Sequence, residues 1–160
     1  MSGIGATEFA PNASTNRGMI VSILWRIENS PASSASASFT DVAANAYYAQ
    51  AVDWAANNNI VSGYNSTSFS PNDNITREQL ASILYRYAQY KGMDTVTLEE
   101  NLSSFSDASE ISAYAIPALN WAVGQGLMSG VSTTTLNPKG TATRAQVATV
   151  LMQFQNKILK

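Results

Sequence analysis

The chain contains no cysteine and no histidine, and only 12% of its 160 residues are charged. Without those two side chains it has no thiolate zinc site, no thiol nucleophile and no imidazole base, so any metal would need oxygen ligands. A net charge of −2 without clustered Lys and Arg argues against nucleic acid as a partner. Carboxylate pairs suited to glycoside cleavage cannot be identified by spacing either, and we predict no enzyme activity, catalytic residue, metal site or cofactor.

Long apolar runs are also missing. No run reaches the roughly 18 residues that a membrane helix needs, and the N-terminus lacks the basic-then-apolar layout of a signal peptide. The sequence therefore predicts no membrane insertion and shows no signal peptide within this chain. Its length suits one folding unit or a compact array of repeats.

What the chain does contain is a segment written three times without gaps. Residues 75–87 match residues 142–154 after a shift of 67 and residues 15–27 after a shift of 60. Each copy places apolar residues at i, i+3, i+4 and i+7, which predicts a helix with one buried face. The pattern Thr-x-x-Gln at Thr76 and Thr143 predicts capping boxes, and Asn16 predicts a simpler cap for the first copy.

A second helical segment of mostly small residues precedes each of the last two copies. It contains Trp54 in one repeat and Trp121 in the other, and each segment ends in Asn- or Gly-rich sequence. A loop then leads to the next helix, and we expect the loop glycines Gly3, Gly63 and Gly130 to adopt positive φ. Asp41 and Asp107 stand at the start of each complete repeat, where we expect them to cap or brace the turn.

These matches divide the chain into one half-repeat, two complete repeats and the linkers between them. Residues 1–11 match the loop, so the sequence starts in mid-repeat. The expected parts are the rear half of a repeat (1–29), a Ser/Ala-rich linker (30–38), a complete repeat (39–91), a second linker (92–104) and a complete repeat with an extended last helix (105–160).

The unit of Phe-x-Asp, a Trp-containing helix, a Gly and Pro loop and Ile-Thr-Arg-Glu before an apolar helix resembles the S-layer homology (SLH) domain. The resemblance covers two complete units and the rear half of a third. It implies a mainly α, pseudo-threefold repeat domain around a central helical bundle. It differs in the missing first front half, in Asn16-Arg-Gly-Met19 and in Gln79 and Gln146, where the family usually has glutamate.

Function follows from the same resemblance. The family anchors proteins to walls of Gram-positive-type bacteria by binding secondary cell-wall polysaccharide, often pyruvylated, in grooves between repeats. It implies an extracellular location and an upstream export signal that was lost or replaced. A protein-interaction or assembly module that uses the same grooves is the alternative.

The candidate binding residues centre on the three signature arginines, Arg17, Arg77 and Arg144, which occupy one repeat position. Arginine holds a carboxylate with a planar fork, and a helix start favours an anion. The resemblance adds as companions Asp41, Asp107, Trp54, Trp121, Gly63, Gly130, Thr76 and Thr143. The structural alternatives are that the arginines fix repeat geometry, the tryptophans are core with one edge in the groove, the threonines only cap, and the glycines only form turns.

The first repeat lacks its front half, so the helix of its rear half needs another element to pack against. The sequence predicts an apolar face on Ile20, Ile23, Leu24 and Ile27 that needs a cover. We expect the other repeats, a second copy in a homo-oligomer, the C-terminal tail or a partner that supplies the missing half-repeat to provide it. If each groove joins a signature helix to the following front half, as the family resemblance implies, Arg17 meets Asp41, Arg77 meets Asp107, and Arg144 has no counterpart.

Overall fold

The computed structural model describes residues 8–97 and 101–159, so the predicted loop glycine Gly3 lies outside the described residues. This part is mainly helical and contains isolated β-bridges but no strand, which confirms the predicted fold class. The helices are α1 (Arg17–Ile27), α2 (Ala49–Asn57), α3 (Arg77–Tyr90), α4 (Ile116–Gly124) and α5 (Arg144–Lys157). Short 3-10 turns at Ala108–Glu110 and Ala113–Ala115 precede α4.

The helix ends follow the sequence signals closely. Thr76 and Thr143 each form a complete capping box with the glutamine three residues later, and Asn16 accepts a hydrogen bond from the Met19 N–H. Asn59 and Gly126 adopt the left-handed conformation just beyond α2 and α4, as the Asn- and Gly-rich sequence predicts. The predicted extension of the last helix is wrong, because α5 has 14 residues, as does α3.

The described residues fall into two compact units, of which the first in helix order is Thr15–Asn74. Here α1 packs against α2. Ile20 and Leu24 are fully buried, whereas Ile27 at the end of α1 is 46% exposed. Of the covers that we expected for this face, another repeat provides the one seen here, because the front half of the next repeat packs on most of the helix. The Ser/Ala-rich linker is tied to α2 by an Ala37 N–H donated to the Asp53 carboxylate.

The other unit contains the described residues of Met1–Ser14 and of Ile75–Lys160. In it α3 packs against α4, so the same relation of rear helix to following front helix recurs. An aromatic cluster fills its core, with Tyr87 stacked on Phe154 at 5.6 Å and Trp121 edge-on to both Tyr85 and Phe154. Each unit thus builds its core between helices of different repeats.

Candidate functional site

Each of the two units contains one site, and the two sites have the same design. The first site consists of Arg17, Asp41 and the loop of residues 61–71, and the second consists of Arg77, Asp107 and the loop of residues 128–138. In both sites the arginine lies at the start of a rear helix and the loop belongs to the following repeat. This arrangement pairs Arg17 with Asp41 and Arg77 with Asp107 through one shared loop residue.

The arginines hold the loops by their carbonyl groups. Arg17 is buried and donates from Nε to Phe69 O at 2.9 Å and from Nη2 to Ser62 O at 3.0 Å. Arg77 repeats both bonds, from Nε to Leu136 O at 2.9 Å and from Nη2 to Ser129 O at 2.6 Å. Burial lowers the pKa of Arg77, opposed by the nearby Asp107 charge. The planar fork suits two carbonyl oxygens on one loop, which a lysine could not reach together.

The aspartates hold the same loops by their N–H groups. The Asp41 carboxylate accepts from Phe69 N at 2.9 Å and Ser70 N at 2.7 Å, and Asp107 accepts likewise from Leu136 N and Asn137 N. Burial raises the pKa of Asp41, but these hydrogen bonds outweigh it and leave the pKa below its usual 3.8. For Asp107 the Leu136 N–H is the largest influence, and its pKa is also lowered.

One residue in each loop is therefore gripped from both sides. Phe69 donates its N–H to Asp41 and accepts from Arg17, and Leu136 does the same between Asp107 and Arg77. We call this arrangement the Asp–loop–Arg clamp. It differs from the expected bracing of the following helix turn, because the aspartates reach forward about thirty residues to the loop.

The loops also occupy the helix starts. In the first site Arg17 N and Gly18 N donate to Asp73 O and Pro71 O, and in the second Arg77 N and Glu78 N donate to Gly140 O and Pro138 O. The third N–H of each helix is satisfied by its cap. The helix starts are thus plugged by backbone carbonyls, so the expectation of N–H groups open to an anion is wrong.

Arg144 does have a counterpart, contrary to expectation. Its Nε donates to Phe9 O at 2.9 Å, and its guanidinium lies over the Phe9 ring at 4.9 Å. Arg144 N and Ala145 N donate to Ala13 O and Pro11 O, which repeats the plugged helix start. Residues 9–13 therefore form another loop of this kind, held by Arg144.

Gly63 and Gly130 are required because no Cβ would fit there, and not because the backbone needs a positive φ. The positive-φ glycines of the described chain are Gly92 and Gly126, so the expected positive φ at Gly63 and Gly130 is wrong. A Cβ on Gly63 would lie 2.5 Å from Asn65 O and 2.6 Å from the Phe39 ring, and one on Gly130 would lie 2.8 Å from both Thr135 O and the Phe105 ring. The loop folds back on these glycines, and any side chain would displace it.

The other predicted site residues lie away from the surface or act as caps. Trp54 is 2% exposed and Trp121 is fully buried, so neither indole presents a face or an edge to solvent. Both are core residues, as the structural alternative held, but the edge in the groove that it also expected is absent from both. The hydroxyls of Thr76 and Thr143 accept hydrogen bonds from the Gln79 and Gln146 N–H groups in the capping boxes.

The exposed residues around each loop, which we call the rim of the site, differ between the two sites. The sequence analysis missed most of this difference. Tyr64 stands on the first loop where Val131 stands on the second, and both are exposed. The second site adds a buried carboxylate, Glu78, which accepts from Ser112 N, Ser112 Oγ, Tyr114 OH and Lys139 Nζ. Burial raises the pKa of Glu78, but Lys139 and Ser112 outweigh it and lower the pKa. The repeat alignment places Gly18 opposite Glu78, a signal that could have identified this cluster.

Across residues 8–97 and 101–159, no group of acidic side chains is arranged to hold a metal ion. Within the same ranges, no helix is long and apolar enough to cross a membrane.

Comparison with known proteins supplies the family. The S-layer homology domain model matches residues 38–81 and 104–148, together more than half of the chain. The amylopullulanase of Thermoanaerobacterium thermosulfurigenes is 31% identical over 97% of this chain, and the endoglucanase of Bacillus sp. (strain KSM-635) is 34% identical over 99%. The surface-layer 125 kDa protein of Lysinibacillus sphaericus is 36% identical over 70%. This chain spans only 8%, 16% and 9% of those relatives.

Among solved structures, the undecaheme cytochrome from the S-layer of Carboxydothermus ferrireducens is 27% identical over 55% of this chain and 14% of that chain. Its TM-score of 0.43 is too low to support a fold argument. S-layer homology domains occur in S-layer and cell-surface proteins and generally anchor them to the cell wall by binding its polymers. With two matched repeats, the chain belongs to the S-layer homology domain family.

Proposed function

We propose that this chain is a non-catalytic anchoring module that binds a secondary cell-wall polysaccharide, including one that carries pyruvate ketals, on the outside of a Gram-positive-type bacterium. The observation that supports it best is the duplicated Asp–loop–Arg clamp. Each clamp fixes an exposed loop against a buried arginine, and a rigid loop loses little entropy when a ligand binds.

The binding surface in this proposal is the rim of each loop. The signature arginines contribute by fixing loop shape and by placing a buried positive charge beneath it, with Arg144 doing so for residues 9–13. Asp41, Asp107, Gly63 and Gly130 act through the loop backbone, and Thr76 and Thr143 through the helix starts. Trp54 and Trp121 make no ligand contact in this proposal, because both are buried.

The experiment is co-sedimentation of the folded chain with purified cell walls, before and after removal of the polysaccharide attached to peptidoglycan. The proposal expects binding to the intact walls and its loss after extraction. Heat-unfolded chain is the control for non-specific adsorption. Equal binding to both wall preparations would contradict the proposal, because a polysaccharide anchor has no ligand on extracted walls.

Assembly with another polypeptide is a second candidate that one observation favours. On α3 the side chain of Tyr85 packs edge-on against Trp121 of the following front half, whereas Met152 at the same position of α5 is 57% exposed. A front-half helix from a second copy or from a partner protein would cover this face. Sedimentation at several concentrations, with Met152→Lys as the test variant, would detect such an assembly by its loss.

A further inference from the structure

The first site carries an exposed aromatic ring that its fold does not need for a core. The Tyr64 side chain is 54% exposed on a loop of mostly small polar residues. The Arg17 guanidinium lies 4.8 Å from the Tyr64 ring centroid and 4.5 Å from the Phe69 ring centroid. Arg17 is thus placed against both rings, and this contact fixes the orientation of Tyr64.

The loop that carries Tyr64 is held along its whole length. Tyr64 N donates to Ser68 O, and Thr40 N donates to Thr67 O. The Asn65 side chain accepts from the N–H groups of Thr67 and Ser68. These bonds hold the backbone that carries Tyr64, and Arg17 packs against its ring, so both reduce the ordering cost of binding.

The second site provides an internal control. Its loop repeats the backbone bonds, since Val131 N donates to Thr135 O and Ser106 N donates to Thr134 O. Val131 occupies the Tyr64 position and is 51% exposed. The loop therefore forms with valine at this position, so a ring is not needed for the loop to fold.

We propose that Tyr64 is the platform on which the first site stacks a pyranose ring of the wall polysaccharide, an inference that rests on the function proposed above. The ligand chemistry is the apolar C–H face of a sugar ring, which packs on an aromatic face without needing a charge. Arg17 does not provide a free fork for an acidic substituent, because Nε and Nη2 already donate to Phe69 O and Ser62 O. The contribution of Tyr64 to sugar binding is consequently insensitive to salt.

The test is calorimetric titration with polysaccharide released from purified Gram-positive-type cell walls. Tyr64→Val copies the second loop and should weaken binding about tenfold, in the range of an aromatic contact, while Tyr64→Phe keeps the ring and should stay within about twofold. The control Val96→Ala, at an exposed position in the second linker and outside both loops, should leave the affinity unchanged. The tenfold loss should be the same at low and high sodium chloride, since a stacked neutral ring is not screened.

Circular dichroism and thermal unfolding of each variant confirm that the fold is kept. If wild-type chain binds the polysaccharide and folded Tyr64→Val binds equally well, the inference about Tyr64 is overturned while the anchoring function stands. If Tyr64→Phe loses as much affinity as Tyr64→Val, the hydroxyl and not the ring is responsible, and stacking is overturned. If wild-type chain does not bind the polysaccharide, both the inference and the proposed function fail.

Discussion

The first and second sites have the same frame and different rims. In both, a buried arginine and an aspartate grip one loop residue from opposite sides, and a glycine lets the loop fold back on itself. The rim of the first site offers an exposed aromatic ring at Tyr64, whereas the second has Val131 and a Glu78–Lys139 ion pair. The repeat motif thus encodes the frame, and the residues between motif positions decide what each site can bind.

The largest effect should come from breaking a clamp. Arg17→Ala and Arg77→Ala should each lower the free energy of unfolding by about 3 kcal/mol, because two loop carbonyls lose their donor and a cavity remains. Arg77→Lys should recover only part, since one ammonium cannot replace the fork. Denaturant unfolding measures the loss.

Arg26→Ala is the matched control for Arg17→Ala, because Arg26 is an exposed arginine on the same helix. It should change stability by less than about 0.5 kcal/mol. If Arg17→Ala proved as mild as Arg26→Ala, the clamp would not be the frame of the site.

The two loop glycines should respond alike if the frames are equivalent. Gly63→Ala and Gly130→Ala should each cost about 2–3 kcal/mol, because the new methyl group would overlap loop backbone oxygens. Gly92→Ala offers a contrast, since Gly92 has positive φ and open space around it, and should cost about 1–2 kcal/mol from backbone strain alone. A milder effect at Gly63 than at Gly92 would contradict the packing argument.

Sequence reasoning predicted the frame far better than the rim. The helices and the capping boxes came from periodicity and spacing, because local propensity determines them. The pairing of Arg17 and Arg77 with the following repeat came from the family resemblance. The reach of Asp41 to Phe69 could not be predicted, since it depends on how a long loop folds back. The plugged helix starts were missed for the same reason. Gly63 was misread because sequence shows that a glycine is present but not whether space or φ requires it.

The stability of the clamps should depend on pH in the acid range, because their carboxylates become protonated there. The pKa values of Asp41, Asp107 and Glu78 lie below their usual 3.8, 3.8 and 4.5, so the folded state binds protons less readily than the unfolded chain. Their stabilisation is therefore complete above about pH 5 and is lost as pH falls through the lowered values. Thermal unfolding between pH 7 and pH 3 should show a falling melting temperature.

Glu78→Gln sharpens the comparison between the sites, because the first site has Gly18 at that position. The variant should reduce the dependence of the melting temperature on pH in the acid range, since one of the groups with a lowered pKa is gone. An unchanged pH profile would mean that the Glu78 cluster does not contribute to stability.

The smallest expected effect is a gain. The Thr15 hydroxyl is buried without a hydrogen-bond partner, and the other repeats have Ile75 and Ala142 at this position, both buried. Thr15→Val should raise the free energy of unfolding by about 1 kcal/mol, because it replaces an unsatisfied hydroxyl with a methyl group of similar shape. Denaturant unfolding measures it, with Thr133→Val at an exposed position as the control. A loss of stability at Thr15→Val would show that the hydroxyl has a role in folding.

The most direct test of the account is an NMR titration of isotope-labelled chain with polysaccharide released from purified cell walls. We expect the largest amide shift changes in the loop of residues 61–71 around Tyr64, and smaller changes in the loop of residues 128–138. Changes confined to the exposed face of α5 around Met152, with both loops unaffected, would contradict it and would favour an assembly surface instead.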